Sequence, residues 1–289
     1  MTAESELYAA ILARRSTRRY DQQPLDRSTL DQVGEIITST QPLLAENQFT
    51  ALLRDAPPGT DLVKHLGGYG RIVNPPHYLV PYVLGERHQL EEAGYRLEQI
   101  AVRLTALGIA TCFIGALSRE AAVRTLYGLP DAARLAAFLV LGRPSAGRTG
   151  RAANRILRLV GGAERKRPVQ KIFFEGSFEA PGFPPEAIAP LIEAARQAPS
   201  AVNAQPWRFL WLDGRLFLFV TRRNLRYGYG LQEQYRFHDA GAAMANVCLA
   251  LEALGRSGHW TMASGTEPGF PEYPPALEPL ATLTLEQAA

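Results

Sequence analysis

The run GYRLEQIAVRLTALG, Gly94 to Gly108, is matched in pattern by GAAMANVCLALEALG, Gly241 to Gly255. Leu97, Ile100, Ala101, Leu104 and Leu107 recur at one constant offset as Met244, Val247, Cys248, Leu251 and Leu254. Steps of three and four residues put such side chains on one face of a helix, so each run reads as a helix with a buried stripe. The same offset pairs Gly94 with Gly241 and Gly108 with Gly255. The second pair stands where a glycine ends a helix in the left-handed conformation. Unrelated helices seldom agree at so many positions, and the chain is read as two related halves. The alternative is that the halves share only a helix-and-sheet scaffold.

Outward from these helices, a second repeat has a slightly different offset: Pro42, Gln48 and Leu53 fall opposite Pro199, Gln205 and Leu210. In the first copy Glu46 stands where the second has Asn203, and Phe49-Thr50 stands for Pro206-Trp207. The stretch Pro199-Ser200-Ala201-Val202-Asn203-Ala204-Gln205-Pro206-Trp207 is therefore whole only in the second half. Conversely, Arg14-Arg15-Ser16-Thr17-Arg18 has no counterpart in Pro168 to Phe183. Each half keeps what the other lacks. If the halves pack as pseudo-twofold partners, one composite site is complete and its mirror is degenerate.

Helix patterns cover Glu4 to Arg15, Asp26 to Ser39, Glu91 to Leu107, Arg119 to Tyr127, Pro185 to Gln197 and His238 to Leu254. Ser118 offers an N-cap to the fourth and Gly128 an end. Strand-like runs fall at Tyr78 to Leu84, Leu135 to Leu141, Trp207 to Leu212, Arg215 to Thr221 and Pro279 to Leu285. Asp213-Gly214 between two of them is a tight hairpin signal. The fold class is α+β, with halves at 1–147 and 171–289 joined by a basic linker at 148–170. No Gly-x-Gly-x-x-Gly follows a strand, so a dinucleotide fingerprint is missing.

At 289 residues the chain can bury a continuous core. No apolar run approaches the ~20 residues needed to cross a bilayer, and Glu4 and Glu6 do not suit a secretory signal. A cytoplasmic protein without a membrane partner is the expectation. Cys112 and Cys248 are the two cysteines, and histidines 65, 77, 88, 238 and 259 show no ligand spacing, so neither a disulfide framework nor a metal site is expected. The formal charge of +3 is concentrated between Arg143 and Lys171, a stretch rich in glycine and short of stacking aromatics. It reads as a solvated linker, and a nucleic-acid partner is not expected.

The paired motifs, together with Tyr20-Asp21-Gln22-Gln23-Pro24-Leu25 and the segment Cys112 to Gly115, resemble the nitroreductase-like family. The resemblance is to its single-chain branch, in which two related halves imitate the family homodimer, and it covers most of the chain. It implies one FMN per chain, NADH or NADPH as electron donor, and a small organic acceptor such as a nitroaromatic or quinone reduced in a ping-pong hydride mechanism. A monomer acting as a pseudo-dimer is physically sufficient, and higher assembly stays open.

Arginine suits a flavin phosphate because its planar fork binds oxygens in pairs and stays charged. By resemblance, Arg14 and Ser16 hold the phosphate and ribityl side, Arg15 between them is a cofactor-binding candidate without an assigned contact, and Arg18 belongs to the pyrimidine edge, where a cation favours the reduced ring. The competing reading is a solvated helix end. Pro199, Ser200 and Ala201 would wall the ring from the opposite half, with Asn203 offering an amide that donates and accepts; the alternative is a helix-to-strand connection. Ile114 and Gly115 occupy the place where relatives turn backbone amides toward N5, or are an ordinary loop. Arg148 and Arg151 are further phosphate candidates, as basic residues following the last core strand are in relatives. Tyr227, Tyr229 and Tyr235 either line the acceptor pocket or pack a loop. No acid-base residue is required, because the cofactor carries the chemistry. The rival is a flavin- or nucleotide-binding scaffold without turnover; a plain interaction scaffold is weaker.

Overall fold

The computed structural model describes residues 3–145, 165–263 and 270–286. The first half runs α1 (Ala3–Ala13), α2 (Arg27–Ser39), β1 (Gln48–Asp55), α3 (Leu62–Leu66), β2 (His77–Leu84), α4 (Gln89–Ala106), β3 (Ala110–Gly115), α5 (Glu120–Tyr127) and β4 (Ala137–Gly142). The second runs β5 (Phe173–Glu175), α6 (Ala189–Gln197), β6 (Trp207–Leu212), β7 (Arg215–Thr221), α7 (Tyr235–Ala253), β8 (Gly258–Met262) and β9 (Leu277–Leu285). The first sheet has the order β1-β2-β4-β3, and the second β6-β7-β9-β8 with β5 added parallel to β6. The four shared strands therefore follow one antiparallel topology in both halves. Asp213 and Gly214 both have positive φ, at 49° and 73°, and close the β6–β7 hairpin as their sequence requires.

The repeat is realised contact by contact. α4 and α7 end identically: Gly108 and Gly255 take φ of 71° and 62°, and the next residues, Ile109 and Arg256, donate back to the carbonyls of Leu104 and Leu251, each at 2.9 Å. Along the predicted stripes, Leu97, Ile100, Ala101, Leu104, Met244 and Val247 are fully buried, whereas Leu107 and Leu254, past the helix ends, are exposed. Where the helices cross, a Cβ on Gly94 would strike the His238 carbonyl oxygen, and one on Gly241 would strike the Glu91 carbonyl oxygen. Glu91 and His238 are related by the offset that relates the two glycines, so this is one contact seen from both sides of a pseudo-twofold axis. The core that surrounds it joins Ala10, Ile11, Tyr95 and Val102 of the first half to α6, α7 and the second sheet.

Three departures from the sequence pattern matter. β1, a strand that the sequence pattern did not mark, pairs with β2 along its full length, and its first residues, Gln48 to Thr50, end the decayed copy of the Pro199–Trp207 motif. Ile114-Gly115, read either as backbone turned toward a flavin N5 or as an ordinary loop, is the end of an edge strand, β3, which pairs with β4 at all six residues. Ser118 lies inside a 3-10 turn, Leu117–Arg119, and does not cap α5. Among the described residues no helix is long and apolar enough to cross a membrane.

Candidate active site

α1 ends where its chain turns to run beside β3. Arg14 N–H still donates to Ala10 O at 2.9 Å, and three residues later Thr17 N–H donates to Thr111 O, also at 2.9 Å. Ser16 bridges to Thr111, so the Arg14–Arg18 stretch lies parallel to the exposed edge of the first sheet. Arg15 folds back onto its own helix end, donating to Leu12 O at 2.6 Å and Arg14 O at 2.8 Å. Arg14 points inward: it is 5% exposed, and its Nε lies 3.2 Å from Oε1 of the fully buried Glu98 on α4. Burial pushes the Glu98 carboxyl up to about 7, against the pull of Arg14 and Lys166. The Cys112 thiol on β3 is pushed up by burial and pulled down by Arg18, Ser16 and Arg14.

Lys166 completes this cluster from the far side. Its Nζ donates to Gln197 O at 3.0 Å and Ala198 O at 2.6 Å, the carbonyls that end α6 and precede Pro199. Burial and then repulsion by Arg14 push its ammonium down to about 7. Arg14 thus pairs with Glu98, whose carboxyl also feels Lys166, and Lys166 is bonded to the end of α6 just before the second motif.

The second motif is a strained loop. Val202, Asn203 and Gln205 have φ of 49°, 53° and 48°, which is costly for side-chain-bearing residues and most so for β-branched valine. The surroundings hold it in place. Asp239, fully buried on α7, accepts Ala201 N–H at 2.9 Å; Ser200 Oγ accepts Gln205 N–H at 3.0 Å; and Arg226 donates to Asn203 O at 3.0 Å. The Asn203 amide donates to Arg165 O and accepts from Gln205 Nε2, at 3.0 and 3.1 Å, so both its ends serve the loop. The decayed copy keeps the same anchor: Glu92, which the helix offset pairs with Asp239, accepts Leu43 and Leu44 N–H at 3.0 and 2.9 Å. In this copy Phe49, which stands for Pro206, carries Arg96 over its ring, 5.1 Å away.

At the other end of β3 the halves meet again. Phe113 packs edge-on against His238 of α7 with ring centroids 5.7 Å apart, and Leu117 N–H donates to the Tyr235 hydroxyl at 3.2 Å. Ile114 is buried and Gly115 exposed. Ser16 and Gly115 therefore lie beside or on β3, the Ser200 loop is anchored to the start of α7 through Asp239, Arg14 faces Glu98 of α4 and Arg15 turns to its own helix end, while Arg148 and Arg151 lie outside the described residues. Sequence reasoning passed over Glu98, Lys166 and Asp239 as site residues, and left Tyr235 between an acceptor pocket and a packed loop. Lys166 stood in the basic stretch without a local signal to separate it from its neighbours, and Glu98 is a charge within an otherwise apolar helical stripe. An open surface depression of about 390 Å³, lined in part by Leu7, Ile36, Leu107 and Glu252, shares no residue with this site.

A family model described as "Putative TM nitroreductase" matches residues 6–224. The chain belongs to this nitroreductase family. Among solved structures, a "putative nitroreductase" from Thermotoga maritima is 19% identical, with a TM-score of 0.58 over 98% of this chain and 95% of its own. The hypothetical oxidoreductase YcnD from Bacillus subtilis, 21% identical, aligns with 48% of this chain and 66% of its own at a TM-score of 0.42. An NADPH:FMN oxidoreductase from Vibrio harveyi, in complex with NAD+, is 18% identical and aligns with 48% of this chain and 69% of its own at 0.41. No curated protein matches the sequence. The Thermotoga relative shares the whole nitroreductase fold, both halves included.

Proposed function

We propose that the protein is an FMN-dependent oxidoreductase that passes electrons from NADH or NADPH to a small organic acceptor such as a nitroaromatic or a quinone. Residues 1–147 and 171–289 act as its two pseudo-subunits. The observation that carries this reading is the cationic cluster in which Arg14 pairs with the buried Glu98 and Lys166, which also acts on that carboxyl, is bonded to Ala198 O just before the second motif. The residues fit a phosphate. Arg14 Nη1 is buried without a hydrogen-bond partner among the described residues, and Arg14, Arg15, Lys166 and Arg196 all bear on a spot where Glu98 is the buried carboxylate. In this reading Arg14, Ser16 and Lys166 hold the phosphate, and Arg18 faces the polar ring edge. Pro199, Ser200 and Ala201 form the wall, Ile114-Gly115 present backbone, and Asn203 supports the loop. When bound, FMN supplies hydride acceptance from the nicotinamide and release to the acceptor in two half-reactions.

The test is the visible spectrum of the purified or reconstituted protein, titrated with FMN and then with NADH or NADPH without oxygen. One FMN per chain that bleaches on reduction is expected. A bound flavin that never bleaches would favour an inactive scaffold, and a protein that binds none would overturn both.

The cluster also sets a pH dependence. A phosphate beside Lys166 raises its pKa from about 7, and the same anion disfavours ionisation of Glu98, also near 7. Both changes make the complex hold more protons than the free protein, so binding takes up protons and weakens as pH rises. Between pH 7 and 8.5 the Kd for FMN is expected to climb up to roughly tenfold per pH unit for each proton taken up. Titration calorimetry in buffers of different ionisation enthalpy reads that uptake directly; a Kd independent of pH would remove Lys166 from the phosphate site.

A further inference from the structure

Tyr235 opens α7 in the second half, yet its hydroxyl reaches the first half, where Leu117 N–H donates to it at 3.2 Å. Gly115 makes room for it: a Cβ there would strike the Tyr235 hydroxyl. The phenol thus lies over the exposed last residue of β3. Resting on the flavin reading above, we propose that Tyr235 is a specificity-determining residue whose hydroxyl donates a hydrogen bond to an oxygen of the electron acceptor, selecting flat aromatic acceptors that carry a carbonyl or nitro oxygen.

Four observations support this assignment. The hydroxyl accepts from Leu117, but among the described residues nothing accepts its own proton, which leaves a donor unspent. Burial pushes this phenol up to about 12, so the proton stays in place throughout the neutral range. Its ring is held firmly: it stacks on Tyr227 at 6.5 Å, and the Tyr227 hydroxyl donates to Asp239 Oδ2 at 2.7 Å, the same oxygen that accepts Ala201 N–H. One network therefore fixes both the donor and the loop proposed to wall the flavin. Finally, apolar side chains stand exposed on the segments around it. Tyr69, which lies close enough to act on the Tyr235 phenol, is 48% exposed; Leu231, just before α7, is 59%, and Val202 of the wall loop 54%. Such a rim suits an aromatic ring, and the lone donor suits its oxygen.

The three tyrosines of this segment thereby separate. Tyr227 is buried and structural, Tyr229 is largely exposed beneath Arg223, and Tyr235 alone among them bridges to β3.

The experiment compares two acceptors on FMN-reconstituted protein: 1,4-benzoquinone, whose carbonyl takes a hydrogen bond, and ferricyanide, which accepts electrons without one. In Tyr235→Phe the ratio of quinone to ferricyanide turnover is expected to fall about tenfold, the scale of one neutral hydrogen bond, chiefly through the quinone KM. Tyr235→Leu, which removes the ring together with the hydroxyl, should lower the ratio in the same direction. Variants that retain FMN and keep the wild-type ratio would overturn the assignment while leaving the flavin reading intact. Loss of FMN by both variants would make Tyr235 a cofactor-retention residue and also overturn it. Failure of the wild-type protein to take up FMN would instead bring down the flavin reading, and this assignment with it.

Discussion

Arg14→Ala is expected to weaken FMN binding about a hundredfold, the scale of a charge-assisted hydrogen bond lost from a buried site. It is also expected to destabilise the fold, because Arg14 is the ion-pair partner of the fully buried Glu98. Stranding one member of such a pair costs about 3 kcal/mol when the remaining group is charged. Glu98 can escape that cost by taking a proton. Its folded pKa is raised, to about 7 even with Arg14 present, so the stability it contributes is present below its unfolded value and is lost as pH rises through the folded one. Without Arg14 the folded pKa climbs further, and the deficit of the variant should be small at pH 6 and grow above pH 7. Urea unfolding at pH 6 and pH 8, beside a fluorescence titration with FMN, separates the two effects. Adding Glu98→Gln to the variant should recover stability at pH 8 without recovering FMN. Wild-type affinity in Arg14→Ala would sink the phosphate role; a pH-independent stability loss would sink the account of Glu98.

What the sequence made legible was periodic or paired. The stripes of α4 and α7, their terminal glycines and the Asp213-Gly214 hairpin follow from local chemistry, and the structure has them all. β1 and β3 escaped because neither announces itself by alternation: β1 is mostly half-buried along its length, and β3 is a short edge strand defined by what lies beside it. The site divides in the same manner. Arg14 to Arg18 and Pro199 to Ala201 were visible as motifs because neighbouring residues compose them. The Arg14–Glu98–Lys166 cluster was not, since each member comes from a different segment and only tertiary packing brings them together. Asp239 is intermediate: its role becomes readable once the helix offset pairs it with Glu92, because both carboxylates hold the N–H groups of equivalent loops. The left-handed backbone at Val202 had no signal at all, since valine is among the residues least suited to it.

Alanine at Gly94 or Gly241 is expected to be among the most damaging small substitutions in this protein. In an isolated helix the change would stabilise by about 1 kcal/mol, because glycine is the poorer helix former. Here the new methyl would meet the backbone carbonyl of His238 or Glu91, and a backbone atom cannot rotate aside. The helices must part, at a cost of about 3 kcal/mol or more. Gly34 on α2 provides the control, since nothing lies within 4 Å of a Cβ there, and Gly34→Ala should be neutral or stabilising. Because the two crossing contacts are reciprocal, Gly94→Ala and Gly241→Ala should lose similar amounts in urea unfolding. That equality is a demand of the pseudo-twofold arrangement and not of either helix alone. Function should fall with stability: α4 carries Glu98 and α7 carries Tyr235 and Asp239, so parting them loosens both ends of the candidate site. FMN affinity is therefore expected to drop in both variants even under conditions where they remain folded. If either substitution behaved like Gly34→Ala, the close crossing on which the composite site depends would not exist in solution.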